Sequence, residues 1–506
     1  MSSLRGSFRS RLENSLRSCL CTGLTFVGDN GGALARGGGV SGSGGSLTPS
    51  APTAVATVGT VGLSGALGSA RSMNGDGASA GTIAEWRFFV GAVIVEAVTL
   101  GGGKAGAATG GGGGSGGRVA VFTATADFTT FTGSVSVRGG GQSSLIEYAP
   151  DVTAIAPSGG TIFVARSDGY DGTLIATNSG AGGSEVFAFD SCRYVTSAAS
   201  FSLERIIQSD ADLVVDSGCL VKLSTGVESS AHAGVFPTPQ LVNSSTSGIL
   251  WVRGGATVAV LEPLALVEAQ IAVQKATIVY NEDISLRNSA ALYLFAQSTR
   301  LMGLPSSTLT GSDSALISAI ASHNVPSSFA HSAMSFVDAK SLSLSHNSSI
   351  FVFASTAGNI TQSNAFVASN ITISASSIIS AAGVLYNPEL TFETTGTNAA
   401  QYSYFGQHSG TTFAASGGGH AGRGTPGSGR DDSALGGDSR GDAVTPYGPG
   451  GPGGADVSLD IVGGAGGGGL YFNVSERFVI DGIIDVSAES ALLGSSAGGG
   501  AGGSIF

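Results

Sequence analysis

Two blocks of the chain carry the same pattern: GGRVAVFTATADFTTFTGSVSVRGG at residues 116–140 and GGLYFNVSERFVIDGIIDVSAES at residues 468–490. In each block a glycine pair leads into a short alternating strand. A polar turn follows, and a second glycine introduces another strand, expected at Gly133–Val137 and at Gly482–Val486. A two-strand unit that recurs in this way is typical of a repeat architecture, in which units stack on one another. Function is then expected from an elongated surface rather than from one pocket.

The composition points to a folded, glycine-rich chain. Glycine supplies 82 of 506 residues and charged residues supply 11%, against usual shares of ~7% and ~25%. Hydrophobic residues reach 42%, which argues against disorder. The net charge of −12 and the lack of a basic run argue against a nucleic-acid partner. The run Phe88–Leu100 is too short for a membrane span and contains Glu96, so it predicts a strand.

Short β-branched segments separated by Gly, Ser, Asn and Asp turns run through the chain with almost no helical periodicity. Sandwich strands alternate over longer runs, whereas turns here recur every few residues. Glycine before a strand permits positive φ at a corner, and small residues let coils stack at the ~4.8 Å strand spacing. The pattern favours an all-β fold, a right-handed single-stranded parallel β-helix (a solenoid) with glycine-rich loop insertions. A sandwich array is the alternative.

Four regions are predicted. Residues 1–85 form an irregular Gly/Ser/Ala-rich segment that is partly β, and residues 86–410 form the β-helix, with a glycine tract at 101–117. Residues 411–469 form a glycine-rich insertion, and residues 470–506 form terminal coils that read as cut from something longer. The glycine tracts have two interpretations, of which the first is favoured: flexible excursions from a coil corner, or packed polyglycine II strands.

The order of glycine tract, GG-x-apolar-x-apolar, turn and G-x-[IV]-x-[VA] resembles the very large glycine-rich surface proteins of protists, algae and plants. Those proteins are built from pectin-lyase-like parallel β-helix repeats. GGGHAGRG (417–424), followed by Tyr447-Gly448 and the second block, looks like one of their units, and GGTIFVARSDGYDGTLIATNSG (159–180) is similar to another. LTFVGDNGGAL (24–34) loosely resembles a repeat of polymorphic outer-membrane autotransporters. The resemblance implies an extracellular or surface structural role and no catalytic residues.

The function expected from these features is a non-catalytic structural or adhesive element of an extracellular or cell-surface protein, although the amino terminus lacks a signal-peptide pattern. Its expected partners are carbohydrate or other surface proteins, including copies of itself, with no cofactor, no nucleic acid and no membrane span. Two alternatives stay open. One is a carbohydrate-active β-helix enzyme, a polysaccharide lyase or hydrolase, and the other is a viral or phage fibre adhesin.

The enzyme alternative has four candidate catalytic residues: His420, Arg423, Asp431 and Asp432. Polygalacturonase-like enzymes carry NTD, a DD pair, GHG and RIK. Here a DD pair exists, but the histidine precedes it, and neither GHG nor RIK is present. Acid hydrolysis needs two carboxylates at a defined separation, so a solvated glycine-rich loop is the favoured interpretation.

Other candidate residues are weaker. Aspartates in turns could bind Ca²⁺ at coil corners but are ordinary there: Asp168, Asp171, Asp210, Asp212 and Asp216. N-glycosylation sequons occur at Asn243, Asn347, Asn359, Asn370 and Asn473. An RGD tripeptide, a candidate adhesion motif, stands at Arg440, Gly441 and Asp442. Cys192 and Cys219 are separated by about one coil, which leaves open a disulfide between stacked coils or two buried thiols.

Overall fold

A computed structural model shows a predominantly β chain, with 54% strand and 6% helix. The strands pair mostly in parallel, so the prediction of an all-β fold is confirmed. The residues form two compact units. The structure describes residues 24–27, 46–47, 50–51, 56–64, 82–88, 93–101, 117–123, 134–137, 159–166, 172–177, 185–187, 189, 200–229 without 217, 248–295, 298–323, 335–353, 364–383, 406, 415–428, 433–439, 448–456 and 461–506 without 494.

The first unit contains parallel ladders. The register in one of them pairs Val61 with Val98, and Val98 in turn with Val135. The strands that lie wholly or mainly in this unit are β1 Leu24–Val27, β2 Ser46–Leu47, β3 Ser50–Ala51, β4 Ala56–Ser64, β5 Thr82–Phe88, β6 Val93–Gly101, β7 Arg118–Thr123, β8 Ser134–Ser136, β9 Gly160–Arg166, β10 Gly172–Thr177, β11 Glu185–Phe187, β12 Ser200–Gln208 and β13 Asp212–Val215.

One pair in the first unit departs from the predicted parallel arrangement. Strands β9 and β10 run antiparallel, with Gly160 opposite Thr177 and Gly172 opposite Ala165. Each then continues a parallel ladder on its other edge, β9 with β7 and β10 with β12. Strands β9 and β10 are therefore an antiparallel pair inserted in a parallel ladder.

The second unit contains the remaining elements. Among its described residues the strands and the two helices are β14 Leu220–Ser229, β15 Ile249–Arg253, β16 Thr257–Val260, β17 Leu264–Val267, β18 Gln270–Gln274, β19 Thr277–Asn281, β20 Asp283–Arg287, β21 Ala291–Phe295, β22 Thr299–Leu304, α1 Ser306–Leu309, α2 Asp313–Ser322, β23 Ser335–Leu344, β24 Ser349–Phe353, β25 Asn364–Ile373, β26 Ile378–Ser380, β27 Gly427–Ser428, β28 Ser433–Ala434, β29 Gly469–Ile480, β30 Ile483–Asp485 and β31 Ser504–Ile505.

These strands form stacked coils. Strands β16, β17 and β18 pair in parallel with β19, β20 and β21, about 20 residues later in each case, which is a repeat length typical of solenoids. Inward side chains form columns of equivalent positions, such as Val258, Ile278 and Leu301, each at most 1% exposed. Burying one such side chain stabilises the fold by about 1.5–3 kcal/mol.

Several corners of the coils have a positive φ at a residue other than glycine, which differs from the expectation. Among the described residues, Glu268, Lys275, Glu282, Asn288 and Ser289 have φ between 50° and 64° and lie between consecutive strands. A non-glycine residue rarely adopts this conformation. Glycine supplies the positive φ at other corners, as at Gly218, Gly254 and Gly255, so the corner prediction holds there and misses the non-glycine corners.

A helical segment interrupts the coils after β22. The N-terminal half of β23 pairs with β22, and its C-terminal half pairs with β20. Strand β23 therefore lies beside both β20 and β22. The described strands do not close into a barrel. The excursion carries α1 and α2, which the absence of helical periodicity did not predict. Ser312 caps α2 by accepting a hydrogen bond from the Ala315 amide at 3.3 Å, a standard helix start.

Both repeated blocks fold into two strands, as the sequence predicts. The first block contains β7 and β8, and the second contains β29 and β30. The first strand of the second block is longer than expected, because β29 continues through Ser475 and Glu476, and the chain bends at Asp481 and Gly482 before β30. Its pairing with β25 shifts register there, since Val474 pairs with Ala368 and Arg477 pairs with Asn370. A β-bulge thus lies within β29.

Candidate functional site

The second glycine tract is packed, which contradicts the favoured interpretation of a flexible excursion. We call the described residues 415–428, 433–439, 448–456, 463–469 and 496–504 the glycine bundle. Its segments are held by backbone hydrogen bonds, although the only strands assigned in the bundle are β27, β28 and the ends of β29 and β31. The insertion predicted at 411–469 is therefore, where described, a structured part of the second unit.

Three segments of the bundle form a closed cycle of hydrogen bonds. The amide of Gly453 donates to Gly464, Gly464 donates to Gly498, and Gly498 donates to Gly454, each at 2.9 Å. A second cycle lies three residues away, earlier on the segment that contains Gly453 and later on the other two. There Gly450 donates to Gly467, Gly467 to Ala501, and Ala501 to Gly451, at 2.8–2.9 Å.

The segment 448–454 also bonds to a third neighbour. Gly451 donates to Gly419 at 3.0 Å, and Gly454 donates to Ser416 at 2.8 Å. The Gly406 amide donates to the Pro452 carbonyl of the same segment at 2.8 Å. A strand in a β-sheet has two neighbours, whereas this segment bonds to four described parts of the chain. More than two neighbours and a three-residue spacing of the bonds fit the second interpretation, packed polyglycine II strands, because a helix of this type has three residues per turn.

Backbone contacts explain the glycine requirement. A Cβ atom at Gly498 would lie under 3.0 Å from the Ser416 carbonyl oxygen, and one at Gly453 equally close to that of Gly498. Real Cβ atoms essentially never approach so closely. Adjacent positions differ, since a Cβ at Gly499 or Gly422 would meet no atom within 4 Å. The bundle therefore needs glycine on its inner sides and tolerates a side chain on its outer sides.

Aromatic rings stack on the outward side of β15, β21 and β24. Phe295 lies between Trp251 and Phe353, with ring centroids 5.6 and 4.8 Å away, and Tyr293 stacks on Phe351 at 5.5 Å. All five side chains are half-buried. Because the ring faces are used on one another, this ladder stabilises the stacked coils and is poorly suited to receive a flat sugar face.

Helix α2 covers an outward column of the coils. Lys222, Ala259, Val279, Met302 and Asp338 follow one another across five paired strands. The three apolar members lie in one buried cluster with two leucines of the helical segment, and Ile320 of α2 packs against it. The two helical leucines are Leu309 and Leu316.

The charged ends of that column bind the two ends of α2. Lys222 Nζ lies 2.6 Å from Asp313 Oδ1 at the start of the helix, and it also donates to the Gly311 carbonyl at 3.1 Å. His323 Nε2 lies 2.8 Å from Asp338 Oδ2 at the helix end. The hydrogen bond from Lys222 lowers the pKa of Asp313 below 3.8. Sequence reasoning missed this clamp, for which the Leu316–Ile320 spacing and the Ser312 cap were available signals.

Tyr280 is the largest fully buried side chain of the described core. Its hydroxyl donates to the Asp338 carbonyl at 2.6 Å. Burial, and then the nearby charges of Asp338 and Asp283, raise the pKa of Tyr280 well above 10.0. The residue is thus a neutral, structural donor within the coil.

The candidate catalytic residues are not assembled by the described part of the chain. Arg423 donates twice to Asp438 Oδ1, at 3.1 and 2.7 Å, in an exposed ion pair. His420 is half-buried, and its amide donates to the Gly422 carbonyl at 3.0 Å. Asp431 and Asp432 lie outside the described residues.

The candidate metal ligands have other contacts. Asp210 is buried and accepts from the Thr177 hydroxyl at 2.7 Å, and Asp212 accepts from the Ile249 amide at 2.8 Å. Asp216 lies 3.9 Å from Arg253 in an ion pair. Within the residues described, no three His, Cys, Asp or Glu side chains come together as a metal site. The pair Asp168 and Asp171 lies outside the described residues.

Three sequons lie in described segments, and Asn243 and Asn359 do not. Asn347 is exposed in a turn with φ 63°. Asn473 is exposed on β29, whereas Asn370 lies within β25 and donates to Glu476 Oε2 at 3.0 Å. Of the three, the turn position is the most accessible to a glycan, and all three stay predictions.

The remaining candidates fall partly outside the description. The RGD tripeptide at residues 440–442 is among the residues not described. Cys219 is disulfide-bonded and fully buried, which excludes the free-thiol alternative for this residue. Cys192 lies outside the described residues, so its pairing with Cys219 stays a prediction.

Comparisons with known proteins do not identify a family for this chain. No family model matches the chain, and neither the curated proteins nor the solved structures contain a significant match. In the part of the chain that the structure describes, no helix is long and apolar enough to cross a membrane.

Proposed function

We propose that this chain is a non-catalytic structural or adhesive element of an extracellular or cell-surface protein, built on a right-handed parallel β-helix. The resemblance to the glycine-rich β-helix surface proteins supports this role, as do the parallel coils of about 20 residues each. Carbohydrate and other surface proteins are the proposed partners.

The glycine bundle is the observation that carries the proposal. Most of its hydrogen bonds join backbone groups of different segments, and its inner glycine positions have no room for a Cβ atom. Such a lattice supplies rigidity through its backbone, and two of its few charged side chains, Arg423 and Asp438, are paired with one another. Backbone packing that joins several separate segments suits a building element better than an enzyme.

Localisation and turnover can be tested separately. Antibodies against the chain should stain intact source cells as strongly as permeabilised ones, and staining only after permeabilisation would contradict a surface role. Purified protein should release no reducing ends or unsaturated products from pectin-like or other uronate polymers. Turnover that is lost in Asp431→Ala or Asp432→Ala would support the enzyme alternative instead.

A further inference from the structure

The turn between β23 and β24 carries the N-glycosylation sequon at residues 347–349. His346 and Asn347 at its tip have φ of 55° and 63°, a conformation in which histidine and asparagine are enriched among non-glycine residues. The Ser348 hydroxyl donates to the Ser345 carbonyl at 2.6 Å and closes the turn from within. The turn is therefore held in a conformation that leaves the Asn347 side chain exposed.

Turns of the adjacent coils lie on both sides of this one. The turns at residues 287–290 and 374–377 occupy equivalent positions, because β24 pairs in register with β21 and with β26. Their tips carry short, uncharged and exposed side chains, which are Asn288, Ser289, Ala375 and Ser376. A glycan linked to Asn347 would therefore extend into solvent without displacing either neighbouring turn.

The sequon at Asn370 has different surroundings. This residue is half-buried within β25, where it lies between Ser341 of β23 and Arg477 of β29. Its Nδ2 atom, to which a glycan would be attached, donates to Glu476 Oε2 at 3.0 Å. A glycan at this position would have to pass between the side chains of two neighbouring strands. The fold therefore favours Asn347 over Asn370 as an acceptor.

The disulfide at Cys219 is an independent observation that indicates the secretory route. Cys219 is disulfide-bonded and fully buried within the coils. Disulfides form and persist in oxidising environments, such as the lumen through which secreted proteins pass. Asn-X-Ser/Thr sequons receive their glycans on the same route. The bonded cysteine and the exposed sequon therefore point to one compartment.

We propose that Asn347 carries an N-linked glycan, which rests on the proposed extracellular role because the chain must enter the secretory route. In the transfer, Asn347 Nδ2 bonds to the anomeric carbon of a lipid-linked oligosaccharide and releases a proton. The lipid pyrophosphate leaves with the electron pair of the broken carbon–oxygen bond. Because a glycan is bulky and solubilising, this corner of the coils stays in solvent, and close contacts with a structural partner use another side.

The test begins with the full chain purified from its source cells. Peptide-N-glycosidase converts a glycan-bearing asparagine to aspartate, so peptide mass spectrometry with and without the enzyme identifies each occupied site. Aspartate should appear at position 347 in the treated sample alone, and asparagine should remain at position 370. An unmodified Asn347, or a glycan on Asn370, overturns the inference.

Two variants expressed in the same cells remove the site and keep the turn. Ser349→Ala deletes the sequon hydroxyl, and Asn347→Asp deletes the acceptor amide with a residue that also tolerates positive φ. Each should lose the mass of one glycan, whereas the matched control Asn370→Gln should lose none. Unchanged mass in the first two variants, with circular dichroism showing that they fold, overturns the inference.

The result is separable from the localisation test. A chain that stains on intact cells but carries no glycan at Asn347 refutes only this inference. A chain that carries the glycan but stains only after permeabilisation refutes only the surface role.

Discussion

In both the stacked coils and the glycine bundle, neighbouring segments are joined by backbone hydrogen bonds. The two regions differ in their side chains, which are large and apolar inside the coils and absent inside the bundle. In the coils, columns such as Ile371 and Ile373 exclude water from the interior, and apolar burial provides the stability. In the bundle, the backbone of one segment occupies the space that a Cβ of its neighbour would need, as at Gly498. The bundle gives up side-chain burial and pays the conformational entropy of ordered glycine. Substitution by smaller side chains should therefore destabilise the coils, and substitution by larger side chains should destabilise the bundle.

The largest effect is expected from shrinking a coil side chain. Ile371→Ala should lower the free energy of unfolding by about 2–5 kcal/mol, because it leaves a cavity in a closed column. Ile480→Ala, in the neighbouring column but 46% exposed, should change it by about 0.5 kcal/mol in dilute protein. Chemical denaturation monitored by circular dichroism provides the measurement. Equal losses at the two positions would contradict the assignment of the β29 coil as uncovered.

Replacing glycine with alanine should have different effects on stability at two adjacent positions of the bundle. Gly498→Ala should cost about 1–3 kcal/mol, since the new methyl group meets the Ser416 carbonyl and backbone must move. Gly499→Ala meets nothing within 4 Å and should be neutral or stabilise by about 0.4–1 kcal/mol.

Hydrogen exchange at the bundle amides reports this difference locally. The amides of Gly464 and Gly498, which lie in one hydrogen-bonded cycle, should exchange faster in Gly498→Ala and at the wild-type rate in Gly499→Ala. Identical behaviour of the two variants would mean that the bundle is not packed as polyglycine II.

A buried hydroxyl inside the coil gives a smaller, pH-dependent effect. Burial holds the pKa of Tyr280 above 10.0, so above that pH the unfolded chain loses a proton that the folded chain keeps. Stability therefore falls as pH rises beyond 10.0. Tyr280→Phe should cost about 0.5–1.5 kcal/mol at neutral pH and flatten this alkaline decline. If the stability of the Phe variant fell as steeply above pH 10.0, the alkaline decline would come from other groups.

The smallest effect concerns the clamp on α2. The Lys222 hydrogen bond lowers the pKa of Asp313 below 3.8, so its contribution is present above pH 3.8 and is lost as the pH falls through the folded-state value. Asp313→Asn should cost about 0–1 kcal/mol, because the carboxylate is largely exposed. Exchange rates of the α2 amides should rise in this variant, while those of β25 stay unchanged. Loss of protection in β25 would show that the helix supports the coils.

Much of the architecture could be predicted from local pattern. Short β-branched segments between turns predicted an all-β chain. Each duplicated block predicted two strands, which are β7 and β8 in the first block and β29 and β30 in the second. The helical segment was missed because its apolar positions, Leu316 and Ile320, are few, and its docking depends on Lys222 and Asp338 from distant strands.

Composition alone established that the glycine tracts permit close backbone approach. It did not decide between a loop and a lattice, because each hydrogen-bonded cycle joins residues from three separate segments, such as Gly453, Gly464 and Gly498. Glycine carries no side chain through which a local pattern could show which neighbours it will meet. Tertiary structure made that choice, and it also left Phe478 and Ile480 exposed where their equivalents are covered.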